Sequence, residues 1–172
     1  RRSSFQPDRV AIETSNGDVV EERPNPRESF EGHKFDTSWD SLHLAYFAGY
    51  AMWTYMNTPF LFAMPDVKTE ELEPWQENGE TWRRLKVTFP ERIATHSTEQ
   101  TFYFDRQGLL KRHDYQVDVA GGAAAAHYVS ALTDVSGIVV PTKHTIFPRQ
   151  PDGSSAPTPV IVSIDISEIE FK

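Results

Sequence analysis

Residues 41–65 read SLHLAYFAGYAMWTYMNTPFLFAMP, and this stretch contains no Asp, Glu, Lys or Arg. From Leu42 to Met56 apolar or aromatic side chains fall on every side of a helical projection, and a helix apolar all round belongs in an interior. About 20 apolar residues also suffice to span a bilayer. Here His43, Thr54, Asn57, Thr58 and Pro59 interrupt the run, Asp40 and Asp66 border it, and no positively charged flank accompanies it. The expectation is a core helix, not a span. Thr37 or Ser38 is placed to cap it, with Asp40 three residues after Thr37 completing a capping-box pattern. The helix should run from about Trp39 to Asn57, ended by Pro59. Gly49 inside it costs about 1 kcal/mol relative to Ala, which close approach of a strand to the bare backbone would explain.

Outward from this helix the chain reads as short strands. Arg9–Glu22 forms a hairpin about Asn16-Gly17, followed by the proline-punctuated RPNPRESF. FEGHKF (30–35) reads as a short strand or an irregular approach to the helix. Glu71–Gln76 and Thr81–Phe89 flank a turn at Glu77-Asn78-Gly79, with Leu85, Val87 and Phe89 on one face and Arg84, Lys86 and Thr88 on the other. Thr95–Asp105 and Gly108–Val119 flank Arg106-Gln107, a turn that sets Phe104 opposite Leu109, Phe102 opposite Lys111, Gln100 opposite His113 and Thr98 opposite Tyr115. In that register the apolar residues agree on one face.

GGAAAA (121–126) reads as a small-residue turn into His127–Val135. Ser136-Gly137 then leads to Ile138–Phe147, pairing Val129 with His144 and His127 with Ile146. A polar loop (149–159) precedes a last strand, Val160–Phe171, whose parity shift near Ile169 suggests a bulge. The expectation is an α+β single domain covering 1–172: a strongly curved antiparallel sheet of eight or nine strands, half-barrel or barrel-like, wrapped around one long aromatic helix.

The totals narrow the function classes. With 172 residues the chain is long enough for one real core. A net charge of −8 argues against duplex nucleic acid and anionic membrane surfaces as partners. The absence of cysteine excludes disulfides, thiolate metal sites and a Cys nucleophile. With no signal-peptide pattern, the expected location is cytoplasmic, or periplasmic if the N-terminus is processed.

No phosphate loop, HExxH, nucleophile elbow or calcium loop is present. The signal is positional. Strand parity places His96, His113, Tyr115, His127 and His144 with the apolar faces, and His43 on the helix those faces must cover. The plain alternative for each histidine is a core residue bonded to a carbonyl or a tyrosine. Burying so many imidazoles is costly without a polar pocket. His96, His113, Tyr115 and His43 are therefore the candidate acid–base residues, imidazole titrating near neutrality and Tyr able to pass a proton or hold an oxyanion. Tyr46, Tyr50, Trp53, Phe102, His127 and His144 are candidate ligand-binding residues, with ordinary core packing as their alternative. Asp114 points to the opposite face from His113, so HDY is not a relay. Inward histidines from neighbouring strands could instead hold zinc or iron, although no compact ligand spacing supports it. Arg83, Arg84, Lys86, Lys111 and Arg112 read as a solvated outer face.

The block LHLAYFAGYAMWTYMNTPFLF with the hairpin FYFDRQGLLKRHDY resembles the half-barrel of the LolA and LolB lipoprotein carriers and receptors, shared by the violacein-pathway enzyme VioE. The resemblance is architectural and carries over no functional residue. It implies either carriage of a hydrophobic ligand or cofactor-free chemistry in the same shell. The expected function is a cofactor-independent lyase, isomerase or cyclase acting on a small hydrophobic or aromatic molecule. The alternatives are a non-catalytic carrier of a lipid or hydrophobic ligand, and a metal-dependent enzyme using the strand histidines. No cofactor, nucleic-acid partner or membrane span is expected, and oligomeric state is left open.

Overall fold

The computed structural model describes residues 1–171. Their elements are one α-helix, short 3-10 turns, and two antiparallel sheets of three and seven strands, the α+β class read from the sequence. The chain packs as two compact units. Arg1–Val67, Phe89–Thr98 and Val117–Ala123 make the first; Lys68–Thr88, Glu99–Gln116 and the chain from Ala124 onward make the second.

In the first unit, β1 (Arg2–Gln6), β2 (Arg9–Glu13) and β3 (Val19–Pro24) form a three-stranded sheet in chain order. The β2–β3 turn uses Gly17 at φ +94°, as Asn16-Gly17 suggested. Strand β1 went unread because RSSFQ shows no alternation strong enough to announce it. FEGHKF forms no strand: Pro26–Phe30 is a 3-10 turn, favoured by Pro at its start, and Gly32 at φ +77° breaks extension after it.

Helix α1 spans Ser41–Asn57. Its N-cap is Asp40, not Thr37 or Ser38. Asp40 Oδ1 accepts the His43 N–H at 2.8 Å and His43 Nδ1 accepts the Asp40 N–H at 3.2 Å, a reciprocal box in which His replaces the usual Glu. Thr37 Oγ1 instead accepts the Lys34 N–H. A hydrogen bond from Arg23 holds the Asp40 carboxyl at about 2, so the cap stays ionised and favourable at the positive helix end. Thr58 closes the helix immediately before Pro59, as expected.

The buried face is Leu42, Ala45, Tyr46, Tyr50, Ala51, Thr54 and Tyr55, spaced three and four apart. Leu44 is 59% and Trp53 37% exposed, so the all-round burial inferred from composition does not occur. Folded surfaces are largely apolar anyway, and one wide buried stripe is enough to hold the helix. Among the described residues no helix is long and apolar enough to cross a membrane. Gly49 has the predicted reason: a Cβ there would lie 2.6 Å from Phe5 Cβ on β1.

The second unit is a seven-stranded meander. In order from one edge it runs β4 (Lys68–Glu77), β5 (Glu80–Thr88), β6 (Glu99–Phe104), β7 (Leu110–Val117), β8 (Ala123–Val135), β9 (Ile138–Pro148) and β10 (Val162–Asp165). Asn78 and Gly79, both at positive φ, make the two-residue β4–β5 turn.

The β6–β7 register differs from the expected one. Phe102 faces His113 rather than Lys111. Asp105 Oδ1 accepts the N–H groups of Gln107 and Leu109, which enlarges the loop beyond Arg106-Gln107, and a bulge follows Tyr103. From Thr101 to Tyr103 the slip is two residues, which keeps those side chains on their expected faces, while past the bulge Phe104 pairs with Leu110 rather than Leu109.

The β8–β9 register is as read, with Val129 opposite His144 and His127 opposite Ile146. Residues 123–126, expected as turn, belong to strand β8; the turn is confined to Asp118–Ala120 and the positive-φ pair Gly121-Gly122. Strand β10 is shorter than expected, and Glu168 at φ +59° ends the extended run before Ile169 and Phe171.

Gly49→Ala should therefore lower stability by about 1–3 kcal/mol through overpacking on Phe5, although helix propensity alone would raise it by about 1 kcal/mol. Urea unfolding of the two proteins reads the sign; a gain in stability would refute the close approach.

Candidate functional site

The expected site residues divide between the two units. His43, Tyr46, Tyr50, Trp53 and His96 lie in the first, and Phe102, His113, Tyr115, His127 and His144 in the second.

His96 is not on a strand, as parity had placed it, but in the loop before β6, since Pro90 and the turn at Pro90–Ile93 defer the strand to Glu99. It is fully buried. Its Nε2 shares a 2.8 Å hydrogen bond with Tyr55 Oη, and its ring sits 5.0 Å from Tyr50 and 5.4 Å from Phe47. Burial, aided by the charge of Arg27, pushes its pKa down to about 3, so this imidazole is neutral near pH 7. Thr54 Oγ1 lies 2.9 Å from the Tyr50 carbonyl and 3.2 Å from Thr95 Oγ1, tying helix to loop.

Arg27 closes one side of this loop. It donates to the Thr95 carbonyl at 2.9 Å and to Asp118 Oδ2 at 3.2 Å, and its guanidinium lies 5.9 Å from the centre of the Tyr50 ring. Burial pushes the Asp118 carboxyl up, partly offset by Arg27, and pushes both Tyr46 and Tyr50 above the ordinary phenol value. Beside these groups opens a cleft of about 340 Å³ whose walls include Pro7, Tyr46, Phe89, Ile93, Ala94 and Thr95.

His43 serves the helix cap, with Nε2 3.3 Å from the Ser29 carbonyl and its ring against Phe30. Trp53 stands partly in solvent.

In the second unit one sheet face carries a run of rings. Phe102 stacks on His113 at 4.0 Å, Tyr115 lies 4.8 Å from His113, and His127 lies 5.7 Å from His113 and 6.1 Å from Tyr115. All are buried. The Gln100 amide oxygen accepts from His113 Nε2–H at 2.6 Å. His144 Nε2 is 3.3 Å from the Pro141 carbonyl, which can only accept; His144 Nδ1 is then the acceptor for His127 Nε2–H at 2.8 Å. Burial lowers the His144 pKa despite the Pro141 carbonyl. His113 and Tyr115 thus lie side by side in a run of buried rings.

Arg112 overturns part of the sequence reading. Expected in solvent, its side chain is 0% exposed. It donates to both Asp114 oxygens at 2.6 and 2.9 Å, to Glu77 at 2.9 Å and to the Gly153 carbonyl, and it lies among the rings of Trp75, Tyr103 and Tyr128. Burial opposes its charge, and Asp114 outweighs that effect, holding its pKa above the ordinary arginine value. Arg112 and Asp114 share one strand face, with Tyr103 across from Arg112; an opposite-charge pair two residues apart beside aromatics was the available signal. The Arg27–Asp118 pair, distant in sequence and on irregular segments, left none.

Among the described residues no three His, Asp or Glu side chains are grouped as a metal site. Comparison with known proteins adds little. No protein-family model and no curated protein matches the chain. A crystal structure of a LolA superfamily protein, NE2245 from Nitrosomonas europaea, is similar at 13% identity with a TM-score of 0.41. The match covers 52% of this chain and 40% of that one.

The depressed His96 pKa sets a pH dependence. The unfolded imidazole takes a proton below about 6.5, while the folded one resists until about 3. Stability from this residue is complete above pH 6.5 and falls on acidification through that window, by about 1.4 kcal/mol per pH unit at most. Urea unfolding between pH 7 and 4 should show this slope, and His96→Gln should flatten it; an unchanged slope in the variant would be contrary.

Proposed function

We propose that the protein binds a small, mainly hydrophobic molecule in the first unit's cleft and acts as a carrier or binding protein rather than an acid–base catalyst. The observation that supports this is the cleft itself. At about 340 Å³ it is of ligand size, with Pro7, Phe89, Pro90, Ile93 and Ala94 offering apolar wall, and Tyr46, Thr95, Ser97, Thr98, Glu91, Arg92 and the Arg27–Asp118 pair offering polar groups. Such a lining suits an amphipathic molecule, its apolar part against the prolines, Phe89 and Ile93 and its polar groups against Arg27, Thr95 and Asp118. The neutral state of His96 weighs against acid catalysis there, because efficient general acids and bases titrate near the working pH.

A second reading, cofactor-free acid–base turnover, draws support from Tyr115 lying against the His113 ring. The two readings part on a simple result. A carrier returns its compound intact after prolonged incubation. An enzyme alters it, and His113→Gln would then slow turnover by ~10²–10⁴ while leaving binding in place.

The cleft assignment is checked with the neutral fluorescent probe N-phenyl-1-naphthylamine. Wild type should bind it saturably, and Ala94→Trp, which fills the cleft, should weaken binding by roughly tenfold or more, about 1.4 kcal/mol. Circular dichroism shows that the variant folds. Equal binding by a folded Ala94→Trp protein would remove the cleft from consideration.

A further inference from the structure

We infer that the second unit carries a separate site for the carboxylate of a small molecule, with Arg149 as its anchor. The site is a cleft of about 400 Å³ whose walls include Trp75, Arg84, Lys86, Glu99, Asp114 and Arg149, with the loop residues that follow it. Arg149 is held firmly there by its backbone. Its N–H donates to the Ala124 carbonyl at 3.0 Å, and Arg149 bridges to Ser155 across a loop closed by Gln150 and Ser154.

Its guanidinium, by contrast, makes only a long ion pair, to Asp114. Nε is buried and has no hydrogen-bond partner among the described residues. The nearest carboxylate oxygen, Asp114 Oδ2, stands 3.6 Å away and already accepts from Tyr103 Oη at 2.8 Å and Arg112 Nη2 at 2.9 Å. Asp152, also in the wall, has Oδ1 occupied by the Ser154 N–H and hydroxyl.

Of the acids in the wall, Asp114 Oδ2 and Asp152 Oδ1 are thus engaged elsewhere, and Glu99 stands 3.9 Å from Lys86. A buried guanidinium donor without an acceptor is costly in a dry wall, and a planar fork of N–H groups matches a carboxylate through two parallel hydrogen bonds. Arg84, which reaches the Glu73 carbonyl with Nε and lies 5.7 Å from the Trp75 ring centre, adds a second positive group to the same cleft. The wall carries three cations, Arg84, Lys86 and Arg149, and three carboxylates, Glu99, Asp114 and Asp152, and the buried Arg149 Nε is a donor among them with a hydrogen bond still to make.

Benzoate is the probe, with benzamide as its uncharged counterpart and inorganic phosphate as the competing anion. Titration followed by the Arg149 Nε–H resonance, with thermal shift alongside, should show saturable benzoate binding that benzamide does not reproduce. Arg149→Gln should weaken benzoate tenfold or more, and Arg149→Lys should retain part of it. Arg83→Gln, which removes an exposed guanidinium outside the cleft, should change nothing. Ala94→Trp should also leave benzoate binding intact, so this site and the hydrophobic cleft fail independently. Equal binding of benzamide, unchanged affinity in folded Arg149→Gln, or preference for phosphate would each overturn the assignment.

Discussion

The burial of Arg112 constrains the second unit more than any other single group. A guanidinium out of water must have its N–H groups satisfied and its charge opposed, and removing a partner from such a pair costs about 3–5 kcal/mol. The chain meets this demand with residues from across the sheet. Asp114 comes from the same strand, Glu77 from the end of β4, Tyr103 from β6, Tyr128 from β8 and Gly153 from the loop after β9. Each in turn is braced: Tyr128 Oη donates to Glu77 at 2.5 Å, and Trp75 Nε1 donates to the same carboxylate at 2.8 Å. Placing Arg112 thus fixes the β4–β5 turn, the rings on that face and the loop at Gly153 together. Gly153 is itself obligatory, because it sits at φ +89° with a Cβ position only 3.1 Å from the Trp75 ring.

The histidines obey the opposite rule. Where Arg112 keeps its charge by recruiting carboxylates, three buried imidazoles hydrogen-bond to uncharged groups: His96 to Tyr55, His113 to Gln100, and His127 to His144. Desolvation then favours the uncharged ring, which is the direction seen for His96 and His144. The two faces of one sheet therefore handle polarity differently. Arg112 and Asp114 lie on one side of β7 as an ion pair, while His113 and Tyr115 alternate onto the other, ring against ring.

Period-two patterning made the faces of the sheet legible, and that is why the positions of Phe102, His113 and Tyr115 survived a register error of two residues. Turn chemistry was legible where it rests on one dipeptide, as at Asn78-Gly79 and Ser136-Gly137. It failed where a side chain reorganised the loop, as Asp105 does. The helix was plain, but its cap was misplaced because a histidine at the third helical position is not an expected capping partner. His96 was assigned to a strand because parity can be counted through a loop as easily as through a strand. The cleft by Arg27 could not be read at all, since it depends on segments that no local period connects.

That distinction bears on where a ligand would gain most. An imidazole already hydrogen-bonded to a tyrosine or an amide offers a newcomer only an exchange of partners, and such exchanges are nearly neutral in free energy. The dry surroundings add the cost of separating groups that are well packed. A cleft wall is different, because Ala94 and the neighbouring prolines already meet solvent there. Covering that surface returns about 25 cal/mol for each Å² of apolar area, with no existing bond to break. The imidazole networks are therefore better suited to holding the walls in shape, while recognition falls to the surfaces left open beside them.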